Sequence, residues 1–393
     1  MTFSLQNDDA KMINLDNYFQ EDYLSIEKTF KEKLENQDVI LLGAAGSIGV
    51  AMLPFILNAL PRNLLLIDQD ENRLTSLLRL VRAKEWAAPT TNLTLAAMDF
   101  GSVEARSLLS NFSKHPIVLN FAAAKHVRSE RDRYGIGHLI IENFLKPWQL
   151  IEDLNPVFYF GVSTDIAANR VYFMGASKAL HEKLLHFINS SSARFANVAF
   201  SQGSLLESWK YRLNWNVPLV VPSDIERFLI THEDAARLCA ISISRANNSG
   251  VLIPRDGVVH SHFLRQVALD YLKAKGLRPV IFENYQEAQR FIDSTQRQEK
   301  EWPVVLTESN TSGEKKFEEF IARGEEALPL TPLTNQIIPK IVDHEALSRI
   351  RTCVLTQVIS ADSNWRENLT RLIMDAIPSF TPIPGDETLD LRP

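Results

Sequence analysis

Three oxygen-bearing side chains, Ser163, Thr164 and Asp165, follow an apolar run that begins at Val157. A continuous apolar run is typical of a strand buried in a parallel sheet, and ligands bind just beyond the carboxyl ends of such strands. Lys178 follows in a segment that predicts a helix. The spacing therefore predicts a catalytic group at this strand end. The alternative is a plain turn, because Ser, Thr and Asp also terminate strands and cap helices.

A glycine-rich turn, GAAGSIG, follows the short apolar segment at 38–42 and precedes helix-forming residues. Glycines at this spacing make a tight turn, let the backbone approach a pyrophosphate and let the helix pack on the strand. The start of the helix offers free N–H groups to the anion. Glycine also marks plain turns, but the strand before it and the helix after it favour a dinucleotide site. The expected cofactor contacts are Gly43, Gly46, Ser47, Ile48 and Gly49.

A second apolar segment at 63–67 ends at Asp68, which lies 19 residues after Gly49 (68 − 49). In dinucleotide-binding folds a carboxylate at this place hydrogen-bonds the ribose hydroxyls. Its negative charge disfavours a 2′-phosphate, so we expect NAD as the cofactor and NADP as the less favoured one. The alternative role of Asp68 is that of a turn residue at a strand end.

Two more strands are predicted, at 91–98 and 116–119. The first precedes an acidic and an aromatic residue that could contact the adenine. The second precedes small residues that would let the backbone lie against the cofactor, or that would only allow helix packing. His126 could be a ligand or an acid, although a histidine at a helix start is more often structural. The expected cofactor contacts here are Asp99, Phe100, Ala122 and Ala123.

The order of strands and helices predicts an α/β fold with a Rossmann-like doubly wound parallel sheet. A sixth strand is predicted at 193–198, and the loop at 201–204 could hold phosphate or sugar oxygens. Arg227 is the expected cation for a diphosphate because its planar fork matches phosphate geometry. A salt bridge to Glu226 or Glu233 is its alternative role.

Four regions are predicted along the chain of 393 residues. They are a helical N-terminal arm at 1–36, an NAD-binding domain at 37–200 to which later segments return, a smaller nucleotide-sugar-binding α/β region at 201–340, and a C-terminal helical extension at 341–393. The arm could pack on the domain or on a second subunit.

Composition excludes several classes of function. The net charge of −6 argues against a nucleic-acid or anionic-membrane binder, which needs a clustered positive surface. The two cysteines cannot form a disulfide framework or a metal cage. The sequence shows neither a signal peptide nor an apolar run of ~18 residues. These features predict a cytoplasmic protein.

The motifs GAAGSIG, ID, AAAKHV, STD, MGASK, RFANV, SQGS, RFLIT and GEKKFEE follow in this order between about residues 37 and 320. In order and spacing they resemble the soluble UDP-N-acetylglucosamine 4,6-dehydratases of polysaccharide biosynthesis, which are extended short-chain dehydrogenase/reductase proteins. The resemblance implies a lyase and a homo-oligomer. Bound NAD would oxidise C4 of the sugar, the C5 proton and the C6 hydroxyl would leave, and the hydride would return to C6. The product would be a UDP-4-keto-6-deoxy sugar.

The resemblance also implies roles for individual residues. Asp165 would be the acid for the departing C6 hydroxyl, Thr164 would orient the sugar at C4, and Lys178 would hold the nicotinamide ribose. The substrate-binding positions implied by the same motifs are Lys125, Ser163, Asn197, Ser204, Arg227 and Glu314.

The sequence departs from this family at three places. Met174 stands at the position of the usual catalytic tyrosine, and Ile166 stands where the family has the lysine expected to be the C5 base. Tyr172 is a candidate substitute, with packing as its alternative role. The segment 310–315 lacks one substrate-side arginine. The departures leave open a 4-epimerase or oxidoreductase on the same scaffold, or a nucleotide-sugar-binding protein without catalysis.

Overall fold

A computed structural model describes residues 7–86, 88, 90–125, 130, 132–245, 249–295, 297–308, 319–360 and 362–382. The strands are β1 (Asp38–Leu42), β2 (Asn63–Asp68), β3 (Asn92–Ala97), β4 (Ile117–Asn120), β5 (Phe158–Val162), β6 (Ser190–Ala193), β7 (Asn197–Val198), β8 (Leu219–Pro222), β9 (Glu226–Ile230), β10 (Gly250–Pro254), β11 (Ser261–Phe263), β12 (Arg278–Phe282), β13 (Glu301–Thr307), β14 (Ala327–Pro329) and β15 (Thr334–Ile337).

Helices connect most of these strands. They are α1 (Asn7–Met12), α2 (Gln20–Leu34), α3 (Ser47–Asn58), α4 (Glu71–Ala83), α5 (Val103–Phe112), α6 (Arg133–Ile140), α7 (Lys146–Leu154), α8 (Phe173–Leu184), α9 (Leu205–Asn214), α10 (His232–Arg245), α11 (Leu264–Ala274), α12 (Tyr285–Ile292), α13 (His344–Cys353) and α14 (Trp365–Ala376). Two π-helical segments, Ile141–Leu145 and Val354–Val358, follow α6 and α13.

The main sheet has nine strands in the order β14-β15-β10-β6-β5-β4-β1-β2-β3. β1 lies between β2 and β4 and pairs with both in parallel, so that Leu41 faces Leu66 on one side and Leu119 on the other. The seven strands from β10 to β3 are parallel, and β15 and β14 add an antiparallel edge. This order confirms the predicted Rossmann-like fold, because the strand order reverses at β1.

The predicted sixth strand at 193–198 is wrong. The strand in the main sheet is β6, and Asn197 and Val198 belong to β7 in a separate small sheet. Three consecutive serines form most of β6, and a serine run is more typical of a loop. Two of them bond the backbone inside the fold: the hydroxyl of Ser190 donates to Leu185 O (2.8 Å), and that of Ser192 donates to Gly161 O (2.6 Å).

Helices cover both faces of the main sheet. One face carries α3 and α10, with α2 packed against both of them. The other face carries α6 and α8, and the C-terminal helices α13 and α14 bury apolar residues in the same core cluster. Two three-stranded sheets, β12-β13-β8 and β11-β9-β7, form the smaller part of the molecule. The sequence pattern had not indicated β13 or β9.

Candidate active site

The glycine turn after β1 packs closely against neighbouring backbone. Gly43 has a φ of +69°, and a Cβ there would lie 2.6 Å from Ala122 N. A Cβ on Gly49 would lie 2.3 Å from Gly43 O, so the start of α3 packs directly on the turn. Since the first N–H groups of a helix have no intrahelical partners, those of Ser47 and Ile48 are placed to receive an anion.

Asp68 ends β2 beside this turn. One carboxylate oxygen accepts the Ala45 N–H (2.9 Å), and the other accepts the Asp70 N–H (3.0 Å). The carboxylate is therefore held against the glycine turn by two backbone donors. Its predicted bonds to a ribose would use the remaining lone pairs of the same oxygens.

Asp99 and Phe100 lie in the loop between β3 and α5. Asp99 accepts the Gly101 N–H (2.8 Å) and contacts the Lys146 ammonium (2.5 Å). Burial raises the pKa of Asp99, but the lysine outweighs it and the pKa is lowered. Phe100 is buried and lines a cavity of about 360 Å³ between α5 and α7. That cavity does not include the catalytic residues predicted after β5.

The loop after β4 is fixed by a buried amide that the sequence analysis missed. Asn143 accepts the Ala124 N–H (3.0 Å) and donates to Ala124 O (2.8 Å) and to the Ser177 hydroxyl (2.9 Å). Asn143 lies in the first π-helical segment, and π-helical turns frequently occur at functional sites. These bonds fix the loop at Ala124, and the Asn120 side chain accepts the Ala122 N–H (3.0 Å).

Thr164 and Asp165 follow β5 at the carboxyl edge of the sheet. The Thr164 hydroxyl donates to an Asp165 carboxylate oxygen (2.6 Å), and Asp165 is only 8% exposed. Burial raises the pKa of Asp165, although the Thr164 bond and the positive charge of Arg227 lower it in part. The structure thus brings Arg227, on β9, close to the predicted catalytic carboxyl.

Lys178 lies in α8, one helical turn after Met174. Its ammonium donates to Val162 O (3.2 Å) at the end of β5, and its side chain is buried. Burial lowers the pKa of Lys178 to about 8, and the charge of Glu182 opposes this shift. The lysine therefore lies beside the strand end that carries Thr164.

The start of α8 packs closely against the turn that contains Ile166. A Cβ on Gly175 would lie 2.5 Å from Ile166 O, so only glycine permits this approach. Tyr172 is the residue that precedes α8, with an extended backbone and a half-buried side chain. Neither Ile166, in that turn, nor Met174, in the first turn of α8, has a side-chain group that can take up or release a proton.

Ser163 is buried, and its hydroxyl donates to Glu182 (2.6 Å). The oxygen that the family resemblance assigns to substrate binding therefore has a partner inside the protein. The other predicted substrate contacts lie elsewhere around the cleft.

The loop at 201–204 lies over the start of α3. The Gln202 N–H donates to the Ser47 hydroxyl (2.8 Å), and the Lys125 ammonium donates to Gln202 O. Ser204 caps α9 by accepting the Glu207 N–H (3.2 Å). The loop thus brings Lys125 close to the start of α3, whereas Asn197 is exposed on β7. Glu314 and His126 lie outside the described residues.

A second residue that the sequence analysis missed is Glu130. Its carboxylate accepts the N–H groups of Phe173 (2.9 Å) and Met174 (2.7 Å) and so caps α8. Burial raises the pKa of Glu130 to about 7, against the lowering effect of these two bonds and of the Arg366 charge. The distance of 43 residues between cap and helix hid this pair from local sequence patterns.

Residues 39–331, three quarters of the chain, match the family described as "Polysaccharide biosynthesis protein". The chain belongs to this family. It is 25% identical over 260 residues to the "Uncharacterized membrane protein MJ1061" of Methanocaldococcus jannaschii, covering 62% of this chain and 74% of that protein. It is 22% identical to "Capsular polysaccharide biosynthesis protein CapD" of Staphylococcus aureus, covering 60% of this chain and 40% of that protein.

Solved structures share the fold of this family member at low identity. The structure of Pen from Bacillus thuringiensis has a TM-score of 0.61 at 20% identity, over 78% of this chain and 90% of that chain. The UDP-Glc/GlcNAc 4-epimerase of Campylobacter jejuni has a TM-score of 0.52 at 14% identity, over 73% and 91%. Within the described residues, the polysaccharide biosynthesis protein has no helix with the length and apolar character to cross a bilayer, and no cluster of metal-binding side chains.

Proposed function

We propose that this polysaccharide biosynthesis protein is a nucleotide-sugar 4,6-dehydratase that uses NAD and acts on UDP-N-acetylglucosamine or a related UDP-sugar. The observation that carries the proposal is the buried carboxyl of Asp165 with a raised pKa, beside Thr164 and near Lys178 at the carboxyl edge of the sheet. A raised pKa favours the protonated form of the carboxyl, and this is the form that can protonate a departing hydroxyl. The family and the epimerase neighbour support a sugar-nucleotide substrate.

The residues around the glycine turn fit a dinucleotide. Side chains at positions 43 and 49 would collide with backbone atoms. Only glycine at these two positions therefore allows the turn to lie this close to the start of α3. Ser47 and Ile48 would bind the pyrophosphate through N–H groups, and Asp68 would bind the adenosine ribose and disfavour a 2′-phosphate. When bound, NAD supplies the hydride acceptor and donor for the sugar carbon.

Four side chains would divide the remaining work. Lys178 would bind the second ribose with its ammonium and add a positive charge beside the reacting sugar. Thr164 would orient the C4 hydroxyl, and Asp165 would donate a proton to the oxygen that leaves C6. Arg227 would bind the diphosphate with its guanidinium and, since its charge already acts on Asp165, hold the sugar against that carboxyl.

Two bases are open positions in this scheme. Met174 has no group to take the proton of the C4 hydroxyl, which must pass to another acceptor, and Ile166 has none to take the proton from C5. Tyr172, next to the start of α8, is the candidate that we propose for C5. A second candidate function, 4-epimerisation, is favoured specifically by Ile166, since that reaction needs no base at C5. In the epimerase scheme Asp165 would serve only to hold Thr164.

The test is incubation with UDP-N-acetylglucosamine and NAD in D₂O, followed by proton NMR. Dehydration would give a 6-methyl signal and deuterium at C5, because the C5 proton exchanges with solvent. A galacto-configured product with its C5 proton retained would show epimerisation instead. Binding of both ligands without any new signal would exclude both enzymatic functions.

The role of Asp165 has its own test. We expect Asp165→Asn to reduce kcat by at least ~100-fold, as loss of a general acid does, while NAD affinity stays within about threefold. The matched control is Asp153→Asn, which changes an exposed carboxylate on α7 and should leave kcat unchanged. Equal loss of kcat and NAD affinity in Asp165→Asn would mean that this carboxyl supports the fold and is not the acid.

A further inference from the structure

Behind the segment 163–170, which carries Thr164 and Asp165, lies a row of charged groups. The Ser163 hydroxyl donates to Glu182 Oε1 (2.6 Å), and both Glu182 oxygens accept from Arg194, at Nε (2.7 Å) and Nη2 (2.6 Å). Arg194 is fully buried and also donates to both oxygens of Glu325 (2.6 and 2.9 Å) and to Phe320 O (2.8 Å). None of these charged groups takes part in the proposed chemistry.

Arg170 continues the row from the other side. Its Nη2 pairs with Glu325, its Nε donates to Ala167 O (2.7 Å), and its Nη1 donates to the Ser379 hydroxyl (2.6 Å). We call Glu182, Arg194, Glu325 and Arg170 the charge chain. Two carboxylates alternate with two guanidinium groups, so each buried charge has an opposite neighbour, as burial requires.

The two ends of the charge chain meet the two ends of one short segment. Ser163 begins the segment and Arg170 ends it, with Thr164 and Asp165 between them. The turn inside the segment is also bonded to Arg170, through Ala167 O. The backbone that carries the predicted acid is thus held at both ends by one connected set of hydrogen bonds.

The segment 379–381, which follows α14 and which we call the tail, also binds Arg170. The Thr381 N–H donates to Arg170 O (3.0 Å), and Phe380 is fully buried against the Phe173 ring, with 5.3 Å between the ring centroids. The tail lies beyond residue 331, where the family match ends. A segment outside the family match therefore contacts the backbone between Asp165 and α8.

We propose that the charge chain, completed by Ser379 and Thr381 of the tail, is a positioning device that holds Asp165 and Thr164 at the distance the reaction requires. The proposal rests on the proposed function of Asp165. Because misplacement by ~1 Å can cost about 100-fold in rate, the device would act on kcat more than on binding.

The experiment is a double-mutant cycle with two mild substitutions, Ser163→Ala and Ser379→Ala. Each removes one hydroxyl at opposite ends of the charge chain and leaves all four charges paired. We expect each variant to lower kcat about 3- to 10-fold, with KM for the UDP-sugar and Kd for NAD within about twofold. If the charge chain acts as one unit, the double variant should lose clearly less, or clearly more, than the product of the two single losses.

Two controls separate this role from a purely structural one. Ser110→Ala, an exposed position on α5, should leave kcat unchanged and combine multiplicatively with Ser379→Ala. Arg170→Lys keeps the charge but not the fork, so it should retain more activity than Arg170→Ala at equal folded fraction. Multiplicative losses at Ser163 and Ser379, or lower melting temperatures with unchanged kcat, would overturn the proposal.

Failure of this proposal can be told apart from failure of the proposed function. If Asp165→Asn is inactive but Ser379→Ala is fully active, the role of Asp165 as the acid is supported and the positioning role of the tail is rejected. If Asp165→Asn keeps its activity, the proposed function falls whatever the serine variants show.

Discussion

At the scale of single residues, the site depends on what burial does to charge. Lys178 and Asp165 are both buried within one short stretch, and burial disfavours the charged form of each. The pKa of the lysine therefore falls and that of the carboxyl rises. Two groups that are both ionised in water are thus brought nearer to the pH at which an enzyme exchanges protons.

The lowered pKa of Lys178 predicts a pH dependence of cofactor binding. Lys178 loses its charge as the pH rises through about 8, so the contact that we propose between its ammonium and the ribose should weaken there. We expect Kd for NAD to rise by about tenfold between pH 7 and 9.5, measured by calorimetry. Lys178→Arg keeps its charge in this range and should give a flatter profile. An identical rise in both proteins would assign the effect to another group.

Glu130 predicts a pH dependence of stability. Its folded pKa of about 7 lies above its ordinary value of 4.5, so the folded state holds this proton more tightly than the unfolded state does. The contribution is full below pH ~4.5 and is lost as the pH rises through 7, a change on the order of 2 to 3 kcal/mol.

The comparison is with Glu130→Gln, which cannot titrate. The amide can accept only one of the two N–H groups at the start of α8, so we expect this variant to be less stable than the wild type at pH 5. Between pH 5 and 8 the wild type should lose stability relative to the variant. Urea unfolding at both pH values measures this difference, and parallel losses would show that Glu130 is ionised throughout.

At the scale of elements, the sequence predicted those strands and turns that depend on residues close together in the chain. The glycine turn and the strands β1, β2 and β4 follow from apolar runs and turn residues that adjoin in sequence. The strand β6 was not predicted, because the group that accepts the Ser192 hydroxyl inside the fold, Gly161 O, lies 31 residues away in sequence. The structural roles of Asn143 and Glu130 were not predicted for the same reason, since each side chain binds backbone groups that are far away in sequence.

The contact between the glycine turn and α3 leads to a prediction for Gly49→Ala. Alanine normally favours a helix over glycine by about 1 kcal/mol, but here its Cβ would lie 2.3 Å from Gly43 O. We expect the strain to exceed the helical gain, so that unfolding free energy falls by about 1 to 3 kcal/mol. The turn would move outward, and Kd for NAD should rise at least ~10-fold.

Gly137→Ala is the matched control, because it makes the same change inside α6. Its Cβ would meet only a Val358 methyl, at 3.2 Å, which a side chain can relieve. NAD affinity should stay at the wild-type value in this variant. Unchanged NAD affinity in Gly49→Ala would show that the turn does not bind the pyrophosphate.

At the scale of the whole molecule, both terminal segments are part of the core. Tyr23, Ile26, Phe30 and Leu34 are spaced along α2 so that they share one face, and that face is buried beside α3 and α10. On the opposite side of the sheet, Ile373 of α14 belongs to the cluster that contains α6 and α8. The sequence showed that these segments are helical, but amphipathic spacing does not specify which surface a helix will cover.

Shared cores predict that the segments unfold with the sheet. Phe30→Ala should lower unfolding free energy by about 3 to 5 kcal/mol and Ile373→Ala by about 2 to 5 kcal/mol, since both side chains are fully buried. Calorimetry should show one main transition that moves to lower temperature in each variant. Leu24→Ala and Met374→Ala, at exposed positions of the same helices, should leave it in place. An early separate transition in Phe30→Ala or Ile373→Ala would instead mean that the mutated helix unfolds independently, while the glycine turn and the segment 163–170 stay folded.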